Sequence, residues 1–509
     1  MKPDVPARTE QTRWKQQGAG HRPFRGRAFA KVPGPVWWLI GVVAIIAVVS
    51  PNAGIGLTGV AVAAGAAVLL WRPGEPQALL FIVGFQWLQA FAPVLLSLYD
   101  DTPIAIMMGG SEFEQAAVLT LLAVGAFALG LRLAGRRHHP LDAERFRNGL
   151  AQLKVNRLFV AWMALLAANT AVGVVGAAFP ALRQGLITLE VWKWAAVLLL
   201  FFCWLSSGRG TGQALTVLAV EAGIGMLGYF SGFKEVFFVL LVAGTGVLAG
   251  GRRNLAPLLA TGAGLLLLAV VWQAIKGPYR MFLSQGERAQ IVTVSVPERI
   301  SWLVAHAGEI DSESLDEGLE DGLRRLGYVD FFAQSLRNVP AMIPHTHGLL
   351  WKEAVLHPLM PRLFFPNKPA INDSDRTNTY TGVTVAGADE GTSISIGYVG
   401  ESYIDFGKYG MFVPILLWGW LIGWCHEFLI RRAPHMVMGS ALGACLLLST
   451  VLQLESSNIK MMGSLMAGFL VTAVLLHFWG KQAWGWIAAD SELGRARTTG
   501  HMRHSRSPR

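Results

Sequence analysis

The sequence predicts an all-α polytopic membrane protein with about twelve transmembrane helices and one large periplasmic loop containing short helices. Three observations predict it. Of the 509 residues, 53% are hydrophobic and only 15% charged, with 57 glycines spread along the chain. A soluble protein of this length carries far more charge, and glycine-rich apolar segments are usual in membrane helices. The apolar residues also fall in runs of roughly 20, the length a helix needs to cross a hydrocarbon core of about 30 Å. Finally, the basic residues sit in short segments beside those runs, on alternate connections.

Taken in order, residues 1–33 are basic and polar, with charges from Arg8 to Lys31, and read as a disordered cytoplasmic tail. The tail is too long and hydrophilic to begin a cleaved signal, so the first apolar run is expected to stay as a span. Residues 34–275 hold nine predicted spans, near 35–51, 53–71, 77–98, 115–134, 158–178, 190–206, 213–230, 235–250 and 255–275. Residues 276–408 form the large loop. Residues 409–480 hold three more spans, near 409–430, 436–455 and 461–479, and 481–509 form a second basic cytoplasmic tail. With the N-terminus inside, Arg72, the Arg136–Arg157 linker, Arg209, Arg252–Arg253, Arg431–Arg432 and the C-terminal tail all fall on the cytoplasmic side. The acidic Asp100–Glu114 connection and the large loop fall outside. The expected location is the bacterial inner membrane, crossed many times, with both termini cytoplasmic. On this reading the net charge of +10 is a topology signal and not a nucleic-acid stripe. Cys203, Cys425 and Cys445 lie inside apolar runs, and no disulfide is read from them.

The large loop is far longer than any other connection, and long ordered loops tend to carry function. Its first part is acidic, from Glu309 to Asp321, and Leu315, Leu319, Leu323 and Leu326 recur at helical spacing. That pattern predicts an amphipathic helix with its leucines against the membrane domain and most of its acids in solvent. Polar and cationic groups then crowd together. They run from Tyr328-Val-Asp330 through Pro344-His345-Thr-His347-Gly348 to Pro361-Arg362-Leu-Phe-Phe-Pro366-Asn367-Lys368-Pro369. Arg376 and Asn378 follow, then Gly397-Tyr398-Val-Gly400-Glu401-Ser402-Tyr403-Ile-Asp405-Phe-Gly407-Lys408-Tyr409-Gly410.

The Pro-Arg-x-x-x-Pro-x-Lys-Pro stretch at 361–369, and the glycine-rich segment at 397–410 leading into a late span, resemble bacterial O-antigen and exopolysaccharide polymerases of the Wzy type. The resemblance covers mainly residues 324–423, with weaker support from the Gly232-Phe-Lys234 turn. It implies an enzyme that takes a glycan from its polyprenyl diphosphate carrier and joins it to another lipid-linked repeat unit at the periplasmic face. It further implies no cofactor and no obligatory metal, the bilayer and lipid-linked glycans as partners, and a flippase and a chain-length regulator in the same pathway.

That chemistry asks for cations against a departing diphosphate and a proton acceptor for the attacking hydroxyl. The candidate catalytic residues are Arg362, Glu401, Arg280 and His345; the candidate substrate-binding residues are Lys234, Arg376, Lys368, Tyr403 and His347. Each has a plainer reading. Arg362, Arg280 and Arg376 suit surface ion pairs or headgroup contacts, and Lys234 suits snorkelling. Glu401 and Asp405, four apart, share a helix face, where pairing with Lys408 would be structural. Gly397, Gly400, Gly407 and Gly410 fit close helix packing, and His345 with His347 is half a metal site at best. Glu221, in mid-span, either lines a lipid entry groove or satisfies a buried structural bond. Trp37, Trp38, Trp418 and Trp420 read as interface belts and packing. The competing functions are an O-antigen ligase, a lipid-phosphate-sugar glycosyltransferase using Asp100–Asp101, and a glycan transporter or flippase. The last should show matching broken helices in two halves, which the sequence lacks.

Overall fold

The structure is a computed structural model that describes residues 32–72, 75–135, 143–178, 188–229, 232–249, 256–286, 292–306, 308, 311–360, 364–365, 367–368, 371–387 and 392–488. Arg362, Arg252–Arg253 and the greater part of both tails lie outside the described residues.

Every regular element among them is helical. The first half of the chain gives α1 (Gly34–Val49), α2 (Ala53–Leu70), α3 (Ala78–Tyr99), α4 (Ile104–Met107), α5 (Ser111–Ala134), α6 (Ala143–Gln152), α7 (Val155–Ala178), α8 (Glu190–Ser207), α9 (Thr211–Met226), α10 (Lys234–Ala249) and α11 (Ala256–Ser284). Six helices occupy the predicted loop: α12 (Val296–His306), α13 (Ser312–Leu326), α14 (Asp330–Asn338), α15 (Leu349–Leu356), α16 (Asp373–Thr381) and α17 (Tyr398–Gly410). The chain closes with α18 (Phe412–Arg432), α19 (Met436–Thr450) and α20 (Asn458–Ile487).

Among the described residues, eight helices are long and apolar enough to cross a membrane: α2, α3, α5, α7, α8, α11, α18 and α20. The other four predicted runs also fold as helices, but α1, α9 and α10 have 16 residues each and α19 has 15. At ~1.5 Å per residue these rise about 23 Å, less than a hydrocarbon core of about 30 Å. Glycine and polar residues end them early. α9 ends at Met226, just before Gly228, and a polar turn of residues 451–457 separates α19 from α20.

The helices pack around α5 and α18. Their backbones meet where each lacks a side chain: a Cβ on Gly130 would lie 2.1 Å from the Leu416 carbonyl oxygen, and one on Gly419 would lie 2.3 Å from that of Phe127. Glycine at such crossings lets helices approach far closer than side chains permit. At one end of the bundle, Arg72 pairs with Glu427, and Arg209 donates to the carbonyls of Leu150 and Leu153 at 2.8 and 3.1 Å. At the other end lie the described residues of 285–397, hereafter the loop face. Its helix α13 begins at Asp311, whose carboxylate accepts from the Ser314 N–H at 2.8 Å. The four leucines predicted for its inner side are all partly buried. Gly318, on the same helix, sits tight against the backbone of α11 at Val270. Glu221 of α9 has the structural role of the two expected for it. It binds the Lys193 ammonium at 2.9 Å and accepts from the Trp162 indole at 2.7 Å.

Adding one methyl group at the central crossing should therefore be costly. Gly419→Ala is expected to lose roughly 1–3 kcal/mol or more of stability, as overpacked cores do. Gly84→Ala, in open space on α3, should behave as wild type. Thermal unfolding of the two detergent-solubilised variants checks this, and equal midpoints would refute the tight crossing.

Candidate functional site

The site is built on α17. Gly397 precedes it with φ +91°, in the left-handed region that glycine occupies freely, and a Cβ there would stand 2.6 Å from the Leu454 carbonyl oxygen. This approach draws the turn between α19 and α20 against the start of α17. Glu401 and Asp405 follow one helical turn apart, and both are buried.

Each carboxylate lies at the N-terminus of another helix, where unpaired N–H groups and the helix dipole favour an anion. Glu401 accepts from the Asn458 N–H at 2.8 Å, at the start of α20. Asp405 accepts from the N–H groups of Leu350 and Trp351 at 3.0 and 2.9 Å, in the first turn of α15, and from the Thr346 hydroxyl. Asp405 is thereby a structural cap. It bonds the 345–351 segment instead of Lys408, the cation considered for it.

Glu401 has a further partner. Arg376 of α16 lies between two carboxylates, 3.5 Å from Glu401 and 2.8 Å from Glu353. Burial pushes the Glu401 carboxyl up to about 7, against the downward pull of Arg376. A second carboxylate stands beside it: Asp373 accepts from Ser395 and Ser457 at 3.0 Å each and pairs with Lys460 at 2.7 Å. Among the described residues, Asp373 Oδ1 and both polar side-chain atoms of Asn458 are buried without a hydrogen-bond partner. Each such atom costs about 1–3 kcal/mol, a cost that folded proteins tend to concentrate at functional sites. Tyr328 donates to the Ser395 carbonyl and faces Glu455, Asp373, Asp330 and Glu401.

Glu455 connects this acidic network to a cationic one, because Lys234 and Lys276 lie within electrostatic reach of its carboxyl. Lys276 has Arg280, Arg325 and Lys234 as cationic neighbours, with Asp321 the acid beside them. Lys276 and Arg280 are one turn apart on α11, while α10 begins at Lys234 and Arg325 lies in the last turn of α13. Arg280 is oriented by Tyr229, donating to its carbonyl at 3.2 Å and lying 4.7 Å from its ring. Among the described residues, no hydrogen bond or ion pair engages the side chains of Lys234, Lys276 or Arg325.

The predicted residues therefore separate into groups. Glu401 and Arg376 meet, and Lys234 and Arg280 meet at the cationic cluster. His345 donates from Nδ1 to the Ile404 carbonyl at 3.1 Å and lies edge-on to Tyr403, which leaves Nε2 as the acceptor. The Tyr403 hydroxyl is spent on the Val339 carbonyl at 2.6 Å, a structural bond. Lys368 stands apart, its ammonium on the His357 and Met360 carbonyls where α15 ends. His347 is exposed in a turn with φ +51°. Sequence reasoning missed Glu353, Asp373, Lys460, Lys276 and Arg325 as site residues. The spacing of Lys276 and Arg280 was the readable signal, since cations four apart share a helix face.

A carboxyl raised to about 7 carries a pH signature. Glu401 is expected to ionise near 4.5 in the unfolded chain. Its neutral form thus favours the fold fully below that pH, and the advantage is lost as the pH rises to about 7. Glu401→Gln should remove this component: the wild-type unfolding midpoint should fall relative to the variant's between pH 4.5 and 7 and run parallel above. Parallel profiles throughout would contradict the assignment.

Neither the curated proteins nor the solved structures contain a match to this chain. Residues 113–478, well over half of its length and including both networks, match a family described as a domain of unknown function (DUF8712). The chain belongs to the DUF8712 family.

Proposed function

We propose that this protein polymerises polyprenyl-diphosphate-linked oligosaccharide repeat units into a surface or secreted polysaccharide, at the periplasmic face of the bacterial inner membrane. The observation that carries the reading is the cluster of Lys234, Lys276, Arg280 and Arg325 at the loop-face ends of three helices. Three of these cations lack a partner among the described residues, and the three acids beside the cluster, Asp321, Glu455 and Glu235, are fewer than its four cations. A multivalent anion held at the level where apolar helices end satisfies such a cluster, and a lipid diphosphate has that charge and that position. The topology that goes with this reading has twelve spans, both termini cytoplasmic and residues 276–408 in the periplasm.

In the proposed reaction, an acceptor sugar hydroxyl attacks the anomeric carbon of the donor. The bond from that carbon to the diphosphate oxygen breaks, its electron pair leaves with the diphosphate, and the hydroxyl proton passes to a carboxylate. The cations offset the charge growing on the leaving group. Glu401, raised to about 7 and beside Arg376, is the proton acceptor best matched to neutral pH. Arg376 is a positioning residue, because two carboxylates already occupy its guanidinium. Transfer of finished glycan to a different acceptor, the ligase reading, would use the same leaving group.

The test is glycan synthesis in a deletion strain complemented with variants at equal membrane expression. Lys276→Ala is expected to lower polymer formation about 10²-fold, and Glu401→Gln by about 10²–10⁴, with single-repeat lipid-linked material accumulating. Wild-type polymer from Lys276→Ala would sink the role of the cluster. Normal chain length in the empty strain, with undecorated lipid A core, would replace the polymerase with a ligase.

A further inference from the structure

Beside the cationic cluster, a cavity of about 210 Å³ lies between the loop-face ends of α8 and α10 and the turn joining α19 to α20. Its lining has an uncommon property. Lys234, Glu235, Gln453 and Ser456 all face it, and no hydrogen bond or ion pair engages any of these side chains among the described residues. Unpaired donors and acceptors of both kinds thus converge on one space, which suits a ligand bearing several groups that each donate and accept. Glu190 adds a second carboxylate, and its position is fixed by Lys193 at 3.7 Å and the Trp194 indole at 3.3 Å. Trp194 itself adds an aromatic wall. With the ion pairs counted, Glu190, Glu221 and Glu235 stand against Lys193 and Lys234, an excess of carboxylate that makes the cavity unfit for phosphate, in contrast with the cluster next to it. Lys234 belongs to both, so one ligand can span them.

We infer that this cavity receives the sugar next to the diphosphate of the lipid-linked substrate, and that Glu190 and Glu235 make it select neutral or amino sugars over uronic acids. The inference rests on the polymerase reading for the diphosphate and adds the sugar subsite and its charge preference. The cavity, of about 210 Å³, has room for one sugar ring. A hydroxyl pair can bridge a carboxylate, and a ring face can lie on the tryptophan. A uronate would bring a third carboxylate beside two, and like charges at such a range are strongly disfavoured in a desolvated space.

The experiment is cysteine protection on the full chain in lipid nanodiscs, using a charged methanethiosulfonate reagent. Gln453→Cys and Ser456→Cys report on the cavity, and Asp321→Cys reports on the cluster while keeping all four cations. The parent chain carries Cys445→Ala, because Cys445 lines the cavity, and with its two remaining buried cysteines it is the blank. The protecting probes are a short-chain prenyl diphosphate, bare, carrying N-acetylglucosamine, or carrying glucuronic acid. The bare lipid should protect Asp321→Cys alone, whereas the N-acetylglucosamine lipid should slow labelling at all three positions by tenfold or more. The glucuronic acid lipid should protect the cavity cysteines at least tenfold less, and Glu235→Gln should recover most of that difference. If the N-acetylglucosamine lipid protects Asp321→Cys but neither cavity cysteine, the sugar subsite is wrong and the diphosphate reading stands. Equal cavity protection by both sugars overturns the selectivity. No protection of Asp321→Cys by any probe overturns the diphosphate reading and this inference with it.

Discussion

Helices α5 and α18 are pressed together until backbone meets backbone, and the site inherits its position from that contact. Gly130 and Gly419 leave no slack at the crossing, so α18 cannot slide or rotate on α5 without a carbonyl meeting a carbon. α17 runs directly into α18 through Gly407, whose φ of +70° breaks the helical path between them. The height and direction of α17 are thereby set from below. Its two carboxylates must then meet whatever lies beside them, and the chain supplies helix N-termini at both places. Asn458 begins α20 against Glu401, and Leu350 and Trp351 begin α15 against Asp405. A buried carboxylate placed otherwise would face a desolvation penalty with little to offset it.

The two acids resemble each other in sequence yet differ in what remains available. Asp405 is fully engaged by two N–H groups and a hydroxyl, all on one segment, and its task is to hold residues 345–351 in place. Glu401 has one N–H and a longer contact to a guanidinium shared with Glu353, and burial raises its carboxyl to about 7. Glu401 is thus held without being exhausted, which fits the proton-accepting role proposed for it. The same logic separates the cations. Lys368 and Arg376 are committed to carbonyls and carboxylates, while among the described residues Lys234, Lys276 and Arg325 are not.

Much of this was legible in the sequence. The runs of apolar residues predicted where helices stand, and the leucine spacing predicted which side of α13 faces inward. Glu401 and Asp405 drew notice for their shared helix face. What escaped was pairing over long separations. Glu221 looked like a lone carboxylate because its partner Lys193 is 28 positions earlier, at the edge of a different run. Asp373 and Lys460, 87 positions apart, could not be joined from spacing alone, because only the fold of the loop against α20 brings them to 2.7 Å. Helix length was the other difficulty. Hydrophobicity marks a run, but a bend or polar turn shortens the helix within it, as at residues 227–229 and 451–457.

The separation of charge at the loop face has a physical logic of its own. If the four cations and the carboxylates around Glu401 were mixed, they would neutralise one another in ion pairs, and neither could act on a ligand. The two networks meet at Glu455, with Tyr328 on its acidic side. Tyr328 is bonded to the Ser395 carbonyl, with its hydroxyl raised by burial, and so stays neutral. Glu455, likewise raised by burial, receives a bond from Gln89 at 3.4 Å and lies within reach of Lys234 and Lys276 without contacting either. A neutral phenol and a partly restrained carboxyl are weak competitors for a lysine. A departing diphosphate, with several charges, competes well. The arrangement keeps Lys234, Lys276 and Arg325 ordered by their helices yet unpaired among the described residues, as the role proposed for them requires.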